Sequence, residues 1–131
     1  MKTNPLHFLG IDHVQLAAPL GAEEQARKFF GEILGMEELP KPENLRQRGG
    51  VWFRCGAHQL HIGIEKDFVP NRKAHPAFAV ANLAALRQRL LAAGIQVLED
   101  EALPGAERFY VDDPFGNRLE FLERQIPGVG M

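Results

Sequence analysis

Short runs in which apolar and polar residues alternate punctuate this chain, separated by two longer stretches with helical spacing. Ile11-Asp12-His13-Val14-Gln15-Leu16 alternates as a half-buried strand does. From Ala22 to Leu34 the apolar positions Ala26, Phe29, Phe30, Ile33 and Leu34 recur at helical spacing, and Gly35 is placed to stop a helix. Acidic Glu23 and Glu24 fall in its first turn, where the helix dipole favours them. A short strand is expected near Met36 to Leu39, and a loop over Lys41 to Gly50. Two further strands, Val51 to Cys55 and Gln59 to Ile64, form a hairpin about Gly56-Ala57-His58.

The same order then returns. His75 to Val80 reads as a strand. Asn82 is an N-cap candidate for a helix carrying Leu83, Leu86, Leu90 and Leu91, with Gly94 beyond its end. A strand over Ile95 to Leu98 and a hairpin, Phe109 to Val111 with Arg118 to Leu122, complete the second unit. His13 to His75, Gly35 to Gly94 and His61 to Glu120 are offset by 62, 59 and 59 positions. The expectation is an α+β fold of tandem βαβββ modules, about 9–65 and 74–124, forming a cupped mixed sheet with helices on its outer face. Neither module is long enough to bury its sheet alone, so 1–131 should form a single domain.

Alternation also assigns faces, because side chains two apart point the same way. Leu60, Ile62 and Ile64 form one face of their strand, which turns His61 the other way. Leu119 and Phe121 likewise oppose Arg118 and Glu120. If the apolar faces pack on the helices, His13, His61, His75 and Glu120 line one concavity. Trp52, Arg54, Arg108 and Tyr110 are then its expected substrate-binding walls. Three imidazoles and a carboxylate suit one divalent ion, such as Zn, Ni, Co, Mn or Fe, and leave positions open for substrate oxygens. Arg54, Arg108 and Arg118 are candidates to hold an anionic substrate group. Cys55 falls on the apolar face and reads as a small buried hydrophobe; His7 and His58 read as exposed.

Composition narrows the partners more than the chemistry. A net charge of −2 and no basic cluster argue against nucleic acid. No apolar run approaches the length that spans a bilayer, and no signal-peptide pattern opens the chain. One cysteine allows no internal disulfide. A cytoplasmic protein that meets a small molecule is expected, with a fraying Pro- and Gly-rich tail over Ile126 to Met131.

The doubled unit, His13 in its strand, His75 in His75-Pro76-Ala77-Phe78-Ala79-Val80, and the closing run Asp113-Pro114-Phe115-Gly116-Asn117-Arg118-Leu119-Glu120 resemble the vicinal-oxygen-chelate superfamily of glyoxalases, bleomycin-resistance proteins and dioxygenases. The resemblance implies a homodimer. It also implies metal ligands at His13, His75 and Glu120, with His61 at the fourth ligand position. Glyoxalase I carries a glutamate there that takes part in proton transfer, so His61 departs from that pattern, and His61 and Glu120 become the catalytic candidates. The implied activity is a metal-dependent, glyoxalase-like lyase or isomerase on a small oxygenated metabolite that chelates the metal. The alternatives are an Fe(II) extradiol-type dioxygenase using His13, His75 and Glu120 alone, and a metal-free small-molecule binding protein of the antibiotic-resistance type.

Overall fold

A computed structural model describes residues 6–125; the Pro- and Gly-rich tail lies outside them. Module one contributes β1 (His13–Ala18), α1 (Glu23–Ala26), a π-helical segment (Arg27–Ile33), β2 (Glu38–Leu39), a 3-10 helix (Glu43–Arg48), β3 (Val51–Cys55) and β4 (His58–Ile64). Module two contributes β5 (Ala77–Ala79), α2 (Leu83–Ala92), β6 (Ala106–Asp112) and β7 (Arg118–Arg124). The strands form two mixed sheets, ordered β1-β4-β3-β2 and β5-β7-β6. In each, the first strand of the module runs parallel to its last, and the closing hairpin is antiparallel. The α+β repeat therefore stands, with the cupped surface divided between two sheets.

Sequence accounts for most of these elements. The Asn82 side chain accepts the Ala85 amide at 3.0 Å and so caps α2. Gly94 follows the helix at φ 77°, and Ile95 N–H returns to the Leu90 carbonyl at 2.9 Å. The first helix departs from expectation: after one α-helical turn it widens, and Leu34 N–H reaches back five residues to Phe29. Adjacent Phe29 and Phe30 are both buried, edge to face with centroids 4.9 Å apart. The expected strand after α2 shrinks to one bridge, Leu98 to Tyr110, whereas β6 extends well beyond Phe109 to Val111. The stretch expected as a loop, Lys41 to Gly50, holds the 3-10 turn, closed by contact of the Lys41 ammonium with the Gly49 carbonyl.

One core runs under both modules. Val51, Phe53, Leu60 and Ile62 from the first sheet meet Phe29 and Phe30; Phe109, Val111, Leu119 and Phe121 from the second meet Leu83 and Leu90. Two polar ties join the modules. Asn117 is buried and donates to the Ala17 carbonyl at 2.8 Å. Arg89 donates to the Glu32 and Ile33 carbonyls at the end of the π-helical segment. The apolar faces are thus consumed by the core, which leaves the opposite faces to chemistry.

Candidate metal centre

On the first sheet, parallel register sets His13 beside Gln59 and Gln15 beside His61, while antiparallel register sets Trp52 opposite His61. The three rings stack. His61 lies between Trp52, 3.8 Å away and inclined by 2°, and His13, 4.2 Å away and inclined by 19°. His61 is buried, and its Nε2 meets Gln59 Oε1 at 2.9 Å. Burial, then the neighbouring His13, holds its imidazole below the ordinary pKa of 6.5 and favours the neutral ring. His13 is exposed, and its Nδ1 lies 2.8 Å from Asp12 Oδ1. A carboxylate only accepts, so Nδ1 carries the hydrogen and Nε2 keeps the lone pair when the ring is neutral.

The second sheet holds the other half. Tyr110 pairs with Glu120 across β6 and β7, and Ala77 pairs with Glu120 across β5 and β7, which brings His75 alongside. His75 Nδ1 faces the Lys73 carbonyl at 2.8 Å and must donate to it. The neutral ring then presents a lone pair at Nε2, and that atom faces Glu120 Oε1 at 2.9 Å. Two lone pairs at this distance need positive charge between them, either a proton on the ring or a metal ion. A ring whose Nδ1–H is held by a backbone carbonyl, leaving Nε2 as the binding atom, is oriented as metal-binding histidines are. The other carboxylate oxygen, Glu120 Oε2, faces Arg108 Nη1 at 3.4 Å, and Arg108 also donates to the Tyr110 hydroxyl at 3.0 Å.

The expected ligands thus form two pairs, His13 with His61 and His75 with Glu120. Among the described residues, no group of three or more His, Cys, Asp or Glu side chains could hold a metal ion. The donor types, imidazole and carboxylate, are ones that suit a divalent ion. A cleft of about 1090 Å³ between β1 and β5 reaches His13 on one side and His75 and Arg118 on the other; His61 and Glu120 do not line it.

The remaining sequence candidates divide by their partners. Trp52 packs on His61 and Tyr110 packs edge-on to His75 at 5.3 Å, so both aromatics brace ligand candidates. Arg54 is exposed and paired with Glu37 at 3.1 Å. Cys55 is part-buried, packs against the core, and burial raises its thiol pKa, which disfavours the thiolate. His7 and His58 are exposed. Sequence reasoning passed over the groups that aim the rings: Asp12, Gln59 and the Lys73 carbonyl. Gln59 was within reach, since it shares the His61 face two positions earlier. A backbone carbonyl leaves no such trace.

The sequence matches the Glyoxalase/Bleomycin resistance protein/Dioxygenase superfamily over residues 10–121. Among solved structures, a glyoxalase family protein from Bacillus anthracis is 54% identical, with a TM-score of 0.88 over 95% of this chain and 99% of that one. A glyoxalase family protein from Enterococcus faecalis is 25% identical, with a TM-score of 0.69 over 88% and 98%. A lactoylglutathione lyase from Agrobacterium tumefaciens shares the fold at 23% identity, with a TM-score of 0.69 over 95% and 99%. No curated protein matches the sequence.

Proposed function

The chain belongs to the Glyoxalase/Bleomycin resistance protein/Dioxygenase superfamily, and from that premise we propose that it is a metal-dependent, glyoxalase-like lyase or isomerase acting on a small metabolite with two adjacent oxygens. The observation that carries this reading is the facing of His75 Nε2 and Glu120 Oε1, two electron-rich atoms at 2.9 Å with the ring hydrogen committed elsewhere. His13, His61, His75 and Glu120 would hold the ion. Because they occur as two pairs in one chain, the full set forms between two copies, each giving one pair. An ion held there would supply Lewis acidity.

The chain's own residues supply the rest. His61 is kept neutral by burial and by His13, so its one lone pair is available to the ion or, where the other three residues hold the ion, to a proton taken from carbon next to a carbonyl. Glu120 is the second group that can hold or return one. Arg108 and Tyr110 fix the orientation of Glu120, while Trp52 holds the His61 ring in plane. The stack confines His61 to one rotation, which keeps its proton-accepting edge in one direction.

Metal per chain, measured by elemental mass spectrometry on protein purified without chelator, tests the reading. About one equivalent is expected, with loss in His75→Ala and Glu120→Ala. The same samples, incubated with hydroxyacetone in deuterated water, should exchange the carbon-bound hydrogen without consuming oxygen. Oxygen uptake with a catechol would instead favour the dioxygenase reading. Failure to bind Zn, Ni, Co, Mn or Fe(II) would leave a metal-free binding protein, for which the β1–β5 cleft offers the volume.

A further inference from the structure

Three arginines sit on the two functional faces, and the structure separates them. Arg54 is neutralised by Glu37, and Arg108 by Glu120 and Asp100. Arg118 has no carboxylate partner among the described residues. Its cross-strand neighbour Asp112 is paired with Arg72 at 2.9 Å. Arg118 Nε is sealed from solvent and lacks an acceptor, while its Nη atoms are neither hydrogen-bonded among the described residues nor sealed. The guanidinium carbon lies 5.2 Å from the centroid of the Tyr110 ring, which orients the charge without neutralising it. A part-buried cation without a counter-charge is costly, and in a cleft it points to a ligand that brings one.

We propose that Arg118 is the specificity-determining residue of this site, and that its Nη atoms bind the carboxylate of an anionic substrate entering through the β1–β5 cleft. One uncompensated positive charge calls for one negative charge, which favours a carboxylate over a phosphate dianion. The planar fork of guanidinium matches the two oxygens of a carboxylate. Arg118 and His75 line the same cleft, so a carboxylate held by Arg118 sets the rest of a short molecule beside His75, whose Nε2 meets Glu120 at 2.9 Å. The substrate class is then a small hydroxy- or oxo-acid, its carboxylate on Arg118 and its adjacent oxygens toward His75. That last clause rests on the metal-dependent reading above; the anion site itself does not.

The test therefore uses metal-free protein in chelator. Acetate is titrated while the arginine side-chain Nε–Hε signals are followed by NMR, with phosphate in a parallel series. The expected result is a saturable shift of the Arg118 signal by acetate in the millimolar range, with weaker binding of phosphate. Arg118→Gln should weaken acetate binding at least tenfold, Arg118→Lys should weaken it less, and Arg46→Gln, outside the cleft lining, should leave it unchanged. An Arg118 signal that does not saturate, or Arg118→Lys and Arg118→Gln variants that both bind acetate as the native chain does, would overturn the anion site. Tighter binding of phosphate than of acetate would overturn the carboxylate assignment. Loss of metal binding in the His75 and Glu120 variants with acetate binding intact would separate the two readings.

Discussion

Removal of the Asn117 side chain should cost this fold heavily, because it ties the two modules together. Its Nδ2 donates to the Ala17 carbonyl at 2.8 Å and to Asp113 Oδ2 at 2.9 Å, and it is 3% exposed. Asn117→Ala deletes both bonds, along with the longer one accepted from Asn71 N–H at 3.4 Å, and leaves one buried and one part-buried acceptor facing a methyl group. At about 1–3 kcal/mol for each unsatisfied acceptor, the loss is about 3 kcal/mol, or a Tm drop of roughly 10 °C. The loss should also depend on pH. Burial holds the Asp113 carboxyl above the ordinary 3.8, while hydrogen bonds from the Asn117 side chain, the Asn117 amide and the Phe115 amide work against it. A carboxyl whose folded pKa is raised binds protons more readily folded than unfolded, so its contribution to stability falls as pH rises through that window. Removing Asn117 takes away the strongest opposing bond and widens the window. The penalty should therefore be larger at pH 7 than at pH 4, and Asn117→Asp, which sets a second carboxylate against Asp113, should be worse than Asn117→Ala at pH 7 and converge with it in acid. Urea denaturation at both pH values measures this. A penalty under about 0.5 kcal/mol, or one equal at the two pH values, would refute the assignment of Asn117 as the tie between modules.

Three further outcomes follow from other parts of the molecule. Gly50→Ala should destabilise by about 3–5 kcal/mol, because the residue has φ 90° and an added Cβ would lie 2.2 Å from the Ile62 carbonyl oxygen; thermal denaturation reports it. Gly63→Ala should be far milder, since the added methyl meets the movable end of Gln15. His61 should titrate below 6.5 by NMR, and this lowered pKa means that its contribution to stability is present above the ordinary histidine range and lost as pH falls through it; His13→Ala removes a neighbouring positive charge and should move the value up.

The repeat, the strand faces and the separation of core from chemistry were legible because each rests on a period of two or on an offset near sixty. Leu60 and Ile62 joined the core and His61 took the opposite face, buried between Trp52 and His13, as alternation requires, and Asn82 capped α2 as its position required. What sequence does not encode locally was harder to see. The widening of the first helix depends on fitting adjacent Phe29 and Phe30 into one core. The tie from Asn117 to Ala17 joins residues a hundred positions apart, so no pattern within either module reveals it. The choice among Arg54, Arg108 and Arg118 turns on which carboxylates happen to lie beside each. The division of four ligand candidates into two pairs depends on how the two sheets are set, whereas face alternation fixes only which side of its own sheet each residue takes.

The central claim is that two half-sites on one chain become one metal site between two chains. A His13→Ala/His61→Ala variant keeps only the second pair, and a His75→Ala/Glu120→Ala variant keeps only the first. Each alone should bind no metal tightly. In a mixed dimer of the two, one site carries both lesions and the other is intact. Random pairing on co-expression at equal levels makes half the dimers mixed, so metal should return to about one quarter of the native content. Elemental analysis of the co-expressed protein, purified with non-chelating tags, gives the answer. Recovery near that fraction is the predicted result. A co-expressed sample as empty of metal as the two variants alone, while the native chain binds metal, would contradict a shared site and require all the ligands to come from one chain.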